Sequence, residues 1–159
     1  MAARKQKFDP LDPQRDAVYE AEKQVYSPRE MVDLSTLQRF VDEIQITVWF
    51  KATFPGTKPL SVLDGRGEAW PRGGEPEIHI PRDARARDVA LHELAHCVVP
   101  SGCEWHGDVF CGILLFITGK VGGQPALVKL RRAMRRNGVT WDIRLARYGR
   151  LWRAGKAGG

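Results

Sequence analysis

Residues 83–100 read DARARDVALHELAHCVVP. Val89, Ala90, Leu94 and Val98 recur at the spacing of one helical face, and Pro100, Ser101 and Gly102 end the pattern. That spacing predicts a helix from about Asp83 to the proline. His92 and His96 stand four residues apart, on one side of that helix, with Cβ atoms about 5–6 Å from each other. Two imidazoles so placed converge on one ion at Zn–N distances of about 2.0–2.1 Å. Glu93 projects about 100° further round the helix, where it misses such an ion but reaches a water on it. The H-E-x-x-H spacing therefore predicts a metal site with its own general base. Four histidines and nine glutamates scattered at random would produce it in roughly one chain in two hundred, so chance explains it poorly.

A catalytic zinc usually keeps three protein ligands and leaves its fourth position to water, so a third ligand is expected elsewhere. His106 is favoured, because the break at Pro100-Ser101-Gly102 lets the chain turn back and face the first helix. Glu104 and Asp108 are the alternatives, since carboxylates also ligate zinc. Cys103 could close a structural site with four ligands, but such a site has no use for a glutamate placed as base. Cys97, Cys103 and Cys111 are read as reduced, small buried hydrophobes. His79 lies on the polar face of the preceding strand and reads as a rim or surface histidine before a ligand.

Outward from the motif, residues 13–26 (PQRDAVYEAEKQVY) predict a polar helix stopped by Ser27-Pro28. Leu37, Phe40, Val41, Ile44 and Val48 predict a second helix from about Ser35, although ITVWF is rich enough in β-branched and aromatic residues to be a strand. PLSVL and GEAW, around Asp64-Gly65, predict a short hairpin, and PRGGEP a turn. EIHI, residues 77–80, alternates as a half-buried strand does, with Ile78 and Ile80 inward. Val109, Phe110, Ile113, Leu114 and Ile117 predict a core helix from Asp108 to Gly119. After KVGGQP, residues 125–136 predict a basic helix capped by Asn137-Gly138, then VTWDIRL a last strand.

The chain has 159 residues, 43% hydrophobic and 28% charged, the proportions of one globular domain with no need of disulfides. No export signal precedes an apolar stretch and no run approaches the ~20 apolar residues of a membrane helix, so a cytoplasmic, soluble protein is expected, with no membrane partner. The net charge of +6 is unevenly placed: residues 119–159 hold eleven Lys/Arg against the single acid Asp142. That asymmetry predicts weak, non-specific binding of nucleic acid by this basic region.

HELAH followed by WHGDVF resembles the SprT-like zincins, in which an H-E-x-x-H helix precedes an H-G-x-x-F segment bearing the third zinc ligand. His106-Gly107-Asp108-Val109-Phe110 matches that segment. RDAVYEAE, LDGRGEAW, IPRDARARDVALHELAH and HGDVFCGILLFI together resemble a family of metallohydrolases of actinobacteria and their phages. The resemblance implies zinc on His92, His96 and His106, with Glu93 as catalytic base, in a minimal zincin fold. The chain has no C-x-x-C pair, so the zinc ribbon of SprT proteins is missing.

The expectation is thus an α+β, zincin-like domain over residues 1–148, with a small mixed or antiparallel sheet packed on the H-E-x-x-H helix, and a flexible basic tail at 149–159. Its chemistry would be hydrolysis of an amide in a peptide or protein substrate, with the peptide adding to the edge of strand 77–80. Tyr148 and the arginines are the candidates for oxyanion stabilisation. The competing expectation is a regulatory protein in which zinc only holds the fold and the basic region binds nucleic acid.

Overall fold

The computed structural model describes residues 8–68, 71–74 and 76–142. Its elements run α1 (Arg15–Tyr26), α2 (Leu34–Gln45), α3 (Val48–Thr53), β1 (Ser61–Asp64), β2 (Arg72–Gly74), β3 (Glu77–Ile80), α4 (Arg87–Val98) and α5 (Asp108–Arg136), with one 3-10 turn at Arg82–Ala84 before α4. The fold is mixed α+β, with a small three-stranded mixed sheet. α4, the H-E-x-x-H helix, is its centre: the sheet lies against it through β2 and β3, and α2 and α5 also pack against it. Ala90, Leu91, Leu94, Ala95 and Val98 are all buried, so α4 has almost no solvent face.

β3 is the middle strand, parallel to β1 and antiparallel to β2. The hairpin expected from PLSVL and GEAW does not form: β1 pairs instead across to β3, with Val62 opposite Ile78. Gly67 and Glu68 lie outside any strand, and Ala69 and Trp70 lie outside the described residues. The second strand falls on Arg72–Gly74, inside the stretch read as a turn. β-propensity could not signal it, because two of its three residues are glycines, and the middle one, Gly73, serves a close backbone approach. A Cβ on Gly73 would lie 2.2 Å from the carbonyl oxygen of Glu93, so this strand rests directly on the backbone of α4.

With β3 paired on both sides, the free edge expected at 77–80 does not exist. The sheet's edges are β1 and β2, and they differ. Two glutamines of α2 cover β1 and the segment before it: Gln38 donates to the carbonyl of Leu60 (2.9 Å) and accepts from the amide of Val62 (2.7 Å). Gln45 likewise donates to the carbonyl of Lys58 (3.0 Å) and accepts from the amide of Leu60 (3.0 Å). β2 is held differently: its middle amide, at Gly73, bonds to the carboxylate of Glu93 on α4.

α2 starts where Asp33 accepts a hydrogen bond from the amide of Thr36 at 2.7 Å. It stops at Gln45, because Thr47 caps a new helix by accepting from the amide of Phe50 (3.3 Å) while donating to the carbonyl of Ile44 (2.6 Å). ITVWF is therefore neither the continuation of α2 nor a strand, and Val48, placed in the core by its spacing, is 86% exposed. The core is made instead by Leu37, Phe50, Phe54, Ile78, Ile80, Leu94, Phe110, Ile113 and Leu130.

α5 runs further than the expected stop at Gly119 and breaks at Gly123, whose φ of 77° suits glycine. Gly119 and Gly122 allow the second arm to pack on the first, since a Cβ on either would press on Leu127 or Ala126. Taken whole, α5 is long and apolar enough to cross a membrane, contrary to the reading that split it. Its first arm spends that apolar character inside the fold, where Phe110, Cys111, Ile113, Leu114, Leu115 and Ile117 are buried. The helix ends at Asn137, with Gly138 at φ 73° and the amide of Val139 bonded to the carbonyl of Met134 (3.0 Å). No strand forms over 139–142, which turn back to the start of α5 through the amide of Asp142 and the carbonyl of Asp108 (3.0 Å). The rest of VTWDIRL, Tyr148 and the tail at 149–159 lie outside the described residues. Cys97 and Cys111 are buried thiols, whereas Cys103 is partly exposed rather than a core residue.

Ile78→Ala should cost about 2–5 kcal/mol, since the site is fully enclosed between two strands and α4. Val48→Ala should stay within about 0.5 kcal/mol. Chemical denaturation of both variants checks the pair, and a large loss at Val48 would restore it to the core.

Candidate metal centre

α4 presents His92 and His96 one turn apart, and the loop after Pro100 returns so that His106, just before α5, meets them. Their Nε2 atoms form a triangle: His92 to His106 is 3.1 Å, His96 to His92 is 3.2 Å, and His96 to His106 is 3.2 Å. His92 and His106 are 3% exposed. The partners of the opposite ring nitrogens decide what this triangle is. Nδ1 of His92 lies 2.9 and 3.0 Å from the two oxygens of Glu22, itself buried on α1. Nδ1 of His106 lies 2.7 Å from Asp12, whose other oxygen accepts from the amide of His106 at 3.2 Å.

A carboxylate on Nδ1 keeps the ring proton there and leaves the Nε2 lone pair pointing the other way. Two such lone pairs cannot hydrogen-bond to each other, so buried acceptors this close call for a cation between them. A tetrahedral ion with bonds of about 2.0–2.1 Å wants its nitrogens about 3.3 Å apart, close to the spacing here. The three histidines could therefore hold a metal ion. Glu104 and Asp108, the alternative third ligands, are not in this group. Glu104 is exposed against Gly107, and Asp108 instead accepts hydrogen bonds from Gln14 and Thr140. His79 stays on the sheet's polar face, with its Nε2 2.9 Å from Glu77 and its Nδ1 3.5 Å from Glu68.

The electrostatics of the cluster favour a single positive charge. Burial opposes protonation of His92, but the charge and hydrogen bond of Glu22 outweigh it and lift this imidazole to about 9. Burial and the neighbouring His92 push His106 down to about 4 against the pull of Asp12, and drive His96 far below its ordinary value. A cation, a proton or a metal, is favoured there by the buried carboxylate of Glu22 and the partly buried one of Asp12. Glu93 is 3% exposed, and desolvation pushes its carboxyl up to about 7, with Glu22 adding to the rise and His92 and the backbone N–H of Gly73 opposing it. β2 thus touches the site directly, since its middle amide holds the carboxylate of Glu93.

Aromatic rings wall the cluster. Phe110, the last residue of the H-G-x-x-F segment, is fully buried and contacts all three histidines, with centroids 4.3 Å from His96, 5.0 Å from His106 and 5.1 Å from His92. Trp105 covers His96 from outside at 5.3 Å. Tyr19 stacks on His92 at 5.2 Å, and burial together with Glu93, Glu22 and Asp12 raises its hydroxyl well above the usual tyrosine range.

Asp12, Tyr19, Glu22 and Gly73 are absent from the residues picked out by sequence. Glu22 had a signal: it shares one face of α1 with Val18, Ala21 and Val25, and a carboxylate at a core position needs a buried partner. Asp12 and Gly73 had none, because the first sits in a loop and the second acts through the absence of a side chain. Compared with protein-family models, curated proteins and solved structures, the chain gives no match.

Glu22→Ala should weaken metal binding by about 10–100-fold, the usual effect of losing the partner of a metal-bound imidazole, and Glu104→Ala should leave it unchanged. Competition with a chromophoric chelator measures both. Equal affinity for wild type and Glu22→Ala would detach Glu22 from the site.

Proposed function

We propose that the protein is a zinc-dependent hydrolase that cleaves an amide bond in a peptide or protein, with His92, His96 and His106 as ligands and Glu93 as general base. The observation that carries this reading is the triangle of Nε2 atoms beside a buried glutamate whose carboxyl is lifted to about 7. Three nitrogens suit zinc, and three protein ligands are the number that leaves room for chemistry. Zinc in such a set supplies an acidified water, with its pKa brought toward about 7, and Lewis-acid polarisation of a carbonyl oxygen.

The chain's own residues do the rest. Glu22 and Asp12 hold two of the imidazoles in the tautomer that ligates. Glu93, with a carboxyl near neutrality, takes a proton from water and returns it to the leaving nitrogen. The Gly73 amide aims that carboxylate, which ties base geometry to the position of β2. A peptide lies along the β2 side of the sheet, next to Glu93, in place of the blocked β3. Its scissile carbonyl would thereby be carried to the residue pair that contains the base. The resemblance to SprT-like zincins and to the metallohydrolases of actinobacteria and their phages supports the same reading, as does the match of H-G-x-x-F to the return of His106.

A second reading has an observation of its own. Arg131, Arg132, Arg135 and Arg136 are all exposed on the second arm of α5, while Leu130, Ala133 and Met134 face the core. We infer that this stripe binds nucleic acid weakly and without sequence preference, through counterion release. Should zinc only hold the fold, this surface would be the working part of the molecule.

Glu93→Gln should keep about one zinc per chain and an unchanged melting temperature, yet lose about 10²–10⁴-fold in peptide cleavage, whereas His92→Ala or His96→Ala should lose the metal itself. Metal analysis with a quenched fluorogenic peptide library decides it. A zinc-loaded wild type as inactive as Glu93→Gln would reject the hydrolase.

For the arginine stripe, fluorescence anisotropy with a labelled oligonucleotide at two salt concentrations should show affinity falling steeply with salt. Changing all four arginines to glutamine should flatten that dependence. Unchanged binding by the variant would reduce the stripe to a solvated face.

A further inference from the structure

Among the described residues, three aromatic side chains touch the histidines, and they are not equivalent. Phe110 lies fully buried beneath them and Trp105 lies outermost, 61% exposed. Tyr19 is the one that brings a hydroxyl to the cluster. It stacks on His92, with centroids 5.2 Å apart and planes 15° from parallel, and meets His106 at 5.2 Å and 59°. Two imidazoles, themselves fixed by Glu22 and Asp12, thus set the position of its ring.

Tyr19 is also 38% exposed and lines a cavity of about 530 Å3 together with His92 and Glu93. Its hydroxyl makes no hydrogen bond among the described residues, and the side chain is exposed enough for a bound molecule to reach that group. The other donors among the described residues that line the cavity are less suited to a fixed task. Arg29 is committed to Asp88 at 2.6 Å, and Lys23 carries its ammonium on a flexible stem. A rigid, unpartnered O–H that shares a cavity with the general base is placed to act on the substrate's reacting group.

We propose that Tyr19 is a catalytic residue whose hydroxyl donates a hydrogen bond to the oxyanion formed when water adds to the scissile carbonyl. The assignment rests on the hydrolase reading above. In the addition, the water oxygen bonds to the carbonyl carbon, the π pair of the C=O moves onto oxygen, and Glu93 takes the water's proton. In the collapse, that pair restores the C=O, the C–N bond breaks, and the proton on Glu93 goes to the leaving nitrogen. Tyr19 keeps its proton throughout and contributes only the hydrogen bond, which strengthens as charge develops.

Tyr19→Phe keeps the ring on His92 and removes the donor. In the zinc-loaded full chain, zinc content and melting temperature should match wild type. With a fluorogenic peptide, kcat should fall about 10²–10³-fold while KM holds. Calorimetric titration supplies a readout independent of turnover: a phosphinic dipeptide, whose tetrahedral anion copies the intermediate, should bind the variant at least about tenfold more weakly, whereas the corresponding planar dipeptide amide binds both proteins equally.

Equal phosphinate affinity and equal kcat in the two proteins would overturn the assignment. Loss of zinc from Tyr19→Phe would also overturn it, making the tyrosine a support for His92. A zinc-loaded wild type that neither cleaves peptide nor binds the phosphinate would instead overturn the hydrolase reading, and Tyr19's role with it.

Discussion

The pairing of two carboxylates, one buried and one partly buried, with buried imidazoles is the interaction on which the rest of this structure depends. An ionised carboxylate in a protein interior is tolerated only when partnered, and breaking such a pair typically costs about 3–5 kcal/mol. Glu22 on α1 therefore binds that helix to α4 through His92, and Asp12 binds the segment before α1 to the return loop through both the side chain and the amide of His106. Gln14 extends the connection, donating to the carbonyl of His106 and accepting from the amide of Thr140. The two ends of the described chain thus meet at the loop that supplies the third histidine.

A second constraint is the distance between the sheet and α4. Side chains ordinarily hold a strand well off a helix axis, but at Gly73 the two backbones are in contact. The closeness has a chemical consequence, because a backbone N–H then reaches the carboxylate of Glu93 and no mobile side chain intervenes. It also explains why so short a strand persists: β2 is held from one side by the ladder to β3 and from below by the helix. The glutamines of α2 cover the opposite edge of the sheet, so the β2 edge is the one beside the candidate base.

Much of this was legible in the residues themselves. Helical periodicity is a local property, and it located α1, α4 and both arms of α5 closely, because their apolar stripes face one continuous core. The i, i+4 spacing of His92 and His96 is likewise set by helix geometry alone. Where the local signal was ambiguous, tertiary context chose. Thr47 could continue a helix, start a strand or cap a new helix, and the packing of Phe50 and Phe54 in the core selected the cap.

The sequence by itself determined the helix that carries the histidine pair, the glutamate beside them, the small supply of further histidines and the inward face of EIHI, since each follows from spacing along one element. Only the tertiary structure decided the rest. It brought His106 rather than Glu104 or Asp108 to within 3.2 Å of the pair, put Asp12 and Glu22 behind the imidazoles, and seated Tyr19 on His92. It also made β3 the centre of the sheet and β2 the edge beside Glu93. The physical reason is common to all of these: each is a contact between segments far apart in the chain, and a long-range contact leaves no period in either segment to be read.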